Sequence, residues 1–238
     1  MKRFFIKNAS LLLPCGLQTG SIKFDSIITA LHQENDSCAP DCECETLDAH
    51  GGFVVPGLFD IHTHGAYGAD FSDADFSASG ARRLHYRSPG IAGAAADLGI
   101  PVELICDGLH VHPAVVRGVF RVFGKKTCLI SDSLRCAGMP DGRYSLGGQE
   151  FVLSNGCAAL ADGTLAGSAI SLADAVRNAV SFGISPSDAF FAASYAPFAS
   201  VFGDSAPFGL ECGRAADLAV FDANLNLKAV FMDGERML

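Results

Sequence analysis

Apolar positions along this chain change rhythm near residue 57 and again near residue 207. Residues 3–13 and 21–31 mix β-branched and aromatic side chains in the manner of strands, with Gly16 and Gly20 expected in the turn between them. Gly52-Phe53-Val54-Val55 reads as another short strand, stopped by Pro56. From Leu58 onward the pattern becomes short continuous apolar runs, at 58–64, 102–106 and 127–131, as expected of parallel strands buried on both faces. Helical spacing of apolar residues covers 112–123 and 171–182. Ser185-Pro186-Ser187-Asp188 predicts a helix start, with a capping hydroxyl, a proline in the first turn and an acid after it. Beyond Pro207 strands return at 217–221 and 228–232, and Asp233-Gly234 closes the second. No internal repeat or low-complexity tract interrupts the chain.

This rhythm predicts an α/β chain in two parts. Residues 1–56 and 207–238 would form a small β module, sandwich-like and built from both chain ends. Residues 57–206 would form an inserted α/β segment whose parallel strands belong to a barrel or a doubly wound sheet.

Composition narrows the function classes. The 238 residues are 49% apolar and 18% charged, which is ordinary globular composition. A formal charge of −9 argues against nucleic acid and against anionic membrane surfaces, so an anionic ligand would need a local cluster of Arg, Lys and His. No apolar run approaches the ~20 residues of a membrane span, and the N-terminal residues lack the pattern of a signal peptide, so a cytoplasmic protein is expected. Nine cysteines are scattered along the chain and read as free thiols. Cys38, Cys42 and Cys44 cluster in an acidic, proline-containing stretch, but no second half with metal-ligand spacing accompanies them, so a solvated loop is the reading.

The candidate chemistry lies where the apolar runs end. In a strand, His62 and His64 would project to the same face, a geometry that can clasp one divalent ion; the alternative is two partly exposed histidines before a glycine-rich turn. Asp132 follows the run 127–131 and could ligate metal or move protons, or simply cap a turn. Asp107, His110 and His112 follow the run 102–106, where turn and capping roles compete with ligand binding. Three runs that each deliver a polar group at one end are harder to assign to chance than any one of them. In (β/α) barrels that end carries the active site.

Five segments then resemble, in order, the motifs of N-acetylglucosamine-6-phosphate deacetylases of the amidohydrolase superfamily. They are Val55-Pro56-Gly57-Leu58-Phe59-Asp60-Ile61-His62-Thr63-His64-Gly65, Tyr86-Arg87-Ser88-Pro89-Gly90-Ile91-Ala92-Gly93, Cys106-Asp107-Gly108-Leu109-His110-Val111-His112-Pro113, residues 131–142, and Ala161-Asp162-Gly163-Thr164-Leu165-Ala166-Gly167-Ser168. The tail from Cys212 to Asp222 resembles the strand that rejoins the family's small β domain. The resemblance implies that His62 and His64 are the first-strand metal pair, for zinc or iron, and that Asp132 is the catalytic acid–base residue. It implies that Arg87 and His110 grip the sugar phosphate, partly across a homodimer interface. Asp107, Gly108 and Leu109, together with Leu165, Ala166 and Gly167, would contact the substrate. The implied reaction is metal-assisted hydrolysis of the acetamide, releasing acetate and glucosamine 6-phosphate.

One departure from the family pattern is large. Relatives of full length carry a Glu-Gly-Pro metal ligand and two further metal-binding histidines between the His-x-His and Arg-containing motifs. Here 22 residues separate His64 from Arg87, and no Glu-Gly-Pro occurs anywhere. A complete barrel takes about 250 residues, so 57–206 is expected to be a barrel remnant with strands resembling the first, seventh and eighth. Such a chain could be a deacetylase with a reduced metal set, an amidohydrolase for another substrate, or a non-catalytic sugar-phosphate binder or partner of a longer homologue.

Overall fold

The computed structural model describes residues 2–33, 44–63, 65–66, 69–70, 87, 90–146 and 148–238. In chain order the strands and helices begin with β1 (Arg3–Leu13), β2 (Gly16–Phe24), β3 (Ile28–Gln33), β4 (Cys44–Asp48), β5 (Phe53–Pro56), β6 (Gly65–Ala66) and β7 (Ala69–Asp70). They continue through α1 (Gly90–Leu98), β8 (Val102–Ile105), α2 (Pro113–Phe123), β9 (Thr127–Ile130), β10 (Gly142–Leu146), β11 (Gln149–Ser154), β12 (Cys157–Ala159) and β13 (Leu165–Ser168). The remainder is α3 (Leu172–Ser181), α4 (Pro186–Ala193), α5 (Tyr195–Phe202), β14 (Leu218–Phe221), β15 (Leu227–Met232) and β16 (Glu235–Arg236). Contacts divide this mixed α/β chain into two units, Met1–Phe59 with Pro186–Leu238, and Asp60–Ser185. Among the described residues no helix is long and apolar enough to cross a membrane.

The first unit is built on one sheet of order β16-β15-β14-β5-β1-β2-β3, with β4 beside β1. Strand β1 changes partner at Asn8. Before it, Arg3 to Lys7 pair in parallel with β4, and after it, Ser10 and Leu11 pair with β5. Asn8 takes a left-handed φ of 55°, where the β1–β2 register also slips, and its amide donates to both Asp48 carboxylate oxygens at 2.9 and 3.0 Å. Phe4 of β1 and Phe24 of β2 meet Phe231 of β15 with both ring centroids 4.9 Å away. In sheet order β14 and β5 stand between β15 and β1. The sheet therefore curls over its own apolar face and buries Ile6, Ile22, Val54 and Leu218 inside. The last hairpin turns through Asp233 and Gly234, both at positive φ, as a two-residue turn with right-handed strand twist requires. A Cβ on Gly234 would overlap the Asp25 carbonyl oxygen, so only glycine fits.

Two sequence expectations change here. The β1–β2 turn falls at Pro14 and Cys15, and Gly20 lies inside β2 opposite Gln33. Helix α4, expected in the 57–206 segment, packs on the sheet of this unit: Phe190 sits 5.3 Å from Phe53 of β5 and 5.0 Å from Phe221 of β14. Burying a phenylalanine in this way stabilises by roughly 1.5–3 kcal/mol, which ties α4 to the sheet. Tyr195 follows it and donates its hydroxyl to the Leu12 carbonyl at 3.3 Å.

The second unit contains the parallel pair β8–β9, in register from Val102 opposite Thr127 to Ile105 opposite Ile130. Helix α2 makes the crossover. His112 caps that helix by accepting the Ala114 N–H on Nδ1, and Pro113 occupies the first helical position. Every residue of β9 is buried, and α3 packs on it behind a Ser171–Asp174 capping box. A four-stranded antiparallel sheet follows, β10-β11-β12-β13, over a small core of Leu134, Cys136, Phe151, Leu153 and Ala158.

The strand expected over 58–64 does not form in its described part, 58–63. Residues 57–63 carry no strand, and the parallel sheet has two strands among the described residues. Oδ1 of Asp60 instead accepts the backbone N–H groups of both His62 and Ser131 at 3.3 Å. A side chain thus takes the place that a ladder partner would hold. The segment still lies against the end of β9, because the Asp132 N–H donates to the His62 carbonyl at 3.0 Å.

Candidate functional site

β8 and β9 stop level with one another, and each is followed two residues later by an aspartate. Asp132, past the end of β9, adopts φ 46°, a conformation that a side chain with a Cβ enters at some cost. Its backbone is held on both sides: the N–H reaches His62, and the carbonyl accepts from Ser168 of β13 at 3.3 Å. Leu134 donates to the Ser168 carbonyl at 2.8 Å, and Thr63 meets Ser133 through their hydroxyls at 2.8 Å. The twist at Asp132 is thus fixed by three chain segments.

That twist brings Oδ1 of Asp132 to 3.6 Å from Nε2 of His62. The other ring nitrogen, Nδ1, lies 2.6 Å from Oε2 of Glu103 on β8. One imidazole therefore stands between two carboxylates. The Asp132 side chain is 19% exposed, whereas His62 and Glu103 are 46% and 45% exposed, so the array opens to solvent on the histidine side. His64 lies outside the described residues.

The loop after β8 is organised around Asp107. Its Oδ1 accepts the N–H groups of Leu109 and His110, each at 2.9 Å, and its Oδ2 meets His110 Nδ1 at 2.7 Å. Burial opposes the carboxylate's charge, but these hydrogen bonds outweigh it and hold the Asp107 pKa below its ordinary value. With its side chain 3% exposed, Asp107 shapes the loop and orients His110. Gly108 turns the chain at φ 80°, and Leu109 faces outward. Asn178 of α3 braces the same loop by donating to the Cys106 carbonyl at 2.9 Å. The Cys106 thiol is pushed up to about 12, chiefly by burial, so it is no nucleophile at neutral pH.

Leu165, Ala166 and Gly167 lie on β13, half-buried, directly before the Ser168 that holds Asp132. At Gly167 a Cβ would meet the Leu134 side chain at 2.8 Å, so the absence of a side chain lets β13 approach the segment after Asp132. Arg87 is an exposed turn residue whose immediate neighbours lie outside the described residues. Sequence reasoning passed over Glu103. Its signal was an acid inside the otherwise apolar run Val102-Glu103-Leu104-Ile105, where a carboxylate needs a partner.

The metal implied by the resemblance can be tested against these donors. His62 Nε2 and Asp132 Oδ1 span a gap that two bonds of about 2.1 Å would bridge. Among the described residues no group of three His, Cys, Asp or Glu side chains is placed to hold an ion. The described donors amount to two ligands, short of the three that a catalytic zinc takes from protein.

No family model matches the chain. It is 37% identical over 159 residues to a putative N-acetylgalactosamine-6-phosphate deacetylase of Escherichia coli, covering 66% of this chain and 95% of that protein. Against the N-acetylgalactosamine-6-phosphate deacetylase of another Escherichia coli strain the identity is again 37% over 159 residues, but the match spans 42% of the relative. The N-acetylglucosamine-6-phosphate deacetylase of Vibrio furnissii is 33% identical over 195 residues, 79% of this chain and 48% of its own length. The chain thus spans about half the length of the longer curated relatives that it matches. Two solved N-acetylglucosamine-6-phosphate deacetylases share its fold. The Pasteurella multocida structure has a TM-score of 0.86 at 16% identity, covering 98% of this chain and 99% of that one. The Mycobacterium smegmatis structure scores 0.83 at 20% identity, covering 99% and 100%. With motifs, relatives and fold in agreement, the chain belongs to the N-acetylglucosamine-6-phosphate deacetylase family of amidohydrolases.

Proposed function

We propose that this chain binds N-acetylated amino sugar 6-phosphates and carries the proton-transfer half of their deacetylation, with little turnover on its own. In this reading β8, α2 and β9 are the surviving seventh and eighth strand unit of a shortened barrel. Residues 58–64 stand for its first strand, and 1–56 with 207–238 are the small β domain. The observation that supports the reading is Asp132: a strained residue, clamped by His62 and Ser168, whose carboxylate faces an imidazole at 3.6 Å. There it would take a proton from water attacking the acetamide carbonyl. It would then return that proton to the amine as the C–N bond breaks, leaving acetate and the free amino sugar phosphate. His110, oriented by Asp107, and Arg87 would engage the phosphate, with Gly108, Leu109 and the 165–167 strand along the sugar. His62, His64 and Asp132 are the residues that would hold a divalent zinc or iron ion, whose chemistry, when firmly bound, is to polarise a carbonyl and acidify water. The family's Glu-Gly-Pro ligand is missing from the sequence, so such an ion would be weakly held and the water would stay near its bulk pKa of ~15.7. Assembly as a homodimer belongs to the same reading.

The test is calorimetric binding and acetate release with the 6-phosphates of both N-acetylglucosamine and N-acetylgalactosamine, in excess Zn²⁺ or Fe²⁺. Binding that depends on His110, without appreciable acetate release, is expected. Turnover at ordinary rates of ~1–10³ s⁻¹, lost in both His62→Ala and Asp132→Asn, would show that the reduced ligand set suffices. Absence of binding to either sugar would refute the assignment.

A further inference from the structure

Glu103 has no part in the reading above, yet it makes the shortest polar contact of the site. It stands on a four-residue strand whose other members are apolar, opposite Cys128 of β9. Side chains alternate along a strand, so Glu103 points away from the face on which Leu104 is buried. It meets His62 Nδ1 at 2.6 Å across 41 residues of sequence.

The separations on the two sides of the ring differ in kind. At 2.6 Å a carboxylate oxygen and a ring nitrogen share a proton, and that proton belongs to Nδ1, since an ionised carboxylate only accepts. At 3.6 Å Nε2 and the Asp132 oxygen lie beyond hydrogen-bond distance. A neutral imidazole with its proton on Nδ1 presents a lone pair at Nε2. That lone pair then lies on the side of the ring that faces Asp132. Carboxylates that accept from the remote nitrogen of a metal-binding histidine fix its tautomer and raise its basicity in this way.

We propose that Glu103 is a positioning residue: it holds His62 as the Nδ1–H tautomer and thereby turns the Nε2 lone pair towards Asp132. Only the metal arm of the test rests on the deacetylase reading, because the tautomer is set within this chain whatever the ligand.

The tautomer is read by nitrogen NMR of imidazole-labelled protein at about pH 8.5, well above an ordinary histidine pKa of ~6.5, with His62→Gln identifying the resonances. Wild type should show a protonated, pyrrole-type Nδ1 and a bare, pyridine-type Nε2. Glu103→Gln, whose amide oxygen can still accept, should keep that pattern, while Glu103→Ala should populate the Nε2–H form. Because Glu103 is half exposed, the alanine variant is expected to fold, and the glutamine variant keeps the test intact if it does not. Titration with Zn²⁺ alone, followed by calorimetry, should show binding weakened about 10–100-fold in Glu103→Ala and much less in Glu103→Gln. A proton on Nε2 in the wild type, or an unchanged Nδ1–H pattern in Glu103→Ala, overturns the proposal. If Zn²⁺ fails to bind even the wild type while the tautomer follows Glu103, the metal part of the deacetylase reading fails and the positioning role stands.

Discussion

Glycine at position 132 should give a more stable protein than alanine there, the reverse of the usual order. Asp132 has φ 46°. A Cβ in the left-handed region costs about 1–2 kcal/mol, and glycine escapes that cost. In the other direction, the greater freedom of glycine in the unfolded chain costs about 0.5–1 kcal/mol relative to alanine. Both variants lose the carboxylate, so its contact with His62 cancels in the comparison. Both keep the backbone bonds to His62 and from Ser168. The balance favours Asp132→Gly over Asp132→Ala by about 0.5–1 kcal/mol. With a urea slope of about 1–3 kcal/mol/M, the midpoints should differ by about 0.2–1 M. Ala94→Gly, on an exposed position of α1, is the control and should destabilise. If alanine equals or exceeds glycine at 132, the backbone there is not strained, and the structural argument for Asp132 as a built functional residue fails.

Asn8→Ala should destabilise the β module by about 1 kcal/mol through its left-handed φ, with Asn8→Gly recovering most of that loss; equal midpoints for the two variants in urea would count against the bulge. Asp107 has a folded pKa below its unfolded one, so its contribution is complete above the unfolded value of about 3.9 and drains away as pH falls through the folded value. Urea midpoints for wild type and Asp107→Asn should therefore converge as the pH is lowered below about 4, and a constant difference would contradict the assignment.

The elements that sequence pattern located best carry their own end signals. Residues 112–123 and 171–182 emerged as helices from the spacing of their apolar positions, and in the structure Pro113 and the Ser171–Asp174 box mark their starts. The antiparallel sheet of 142–168 went unread, although Asn155-Gly156 turns a hairpin at φ 50° and 75° between residues that alternate in and out. Its strands are short and glycine-punctuated, so loop composition masked the period of two. The 58–64 run was misread for a different reason: an apolar run reports burial, whereas a strand also needs a partner ladder, and Asp60 supplies its own acceptor instead. At the site, His62 and Asp132 were legible because both follow apolar runs. Glu103 was not, because its meaning depends on a histidine far away in sequence.

The change of partner at Asn8 bears on how the β domain can assemble. β1 is shared between β4 and β5, and β5 in turn pairs with β14, which lies beyond the whole Asp60–Ser185 unit. Pairing of β1 with β2 and β4 is available early and locally, whereas the strip from β5 to β16 waits until residues beyond 217 can join it. That long closure predicts slow completion of this domain relative to the β8–α2–β9 crossover. It also means that the register between β5 and β14 is set at their own contacts, whatever number of residues intervenes. An insert can therefore lengthen or shorten without altering the register of β5 against β14.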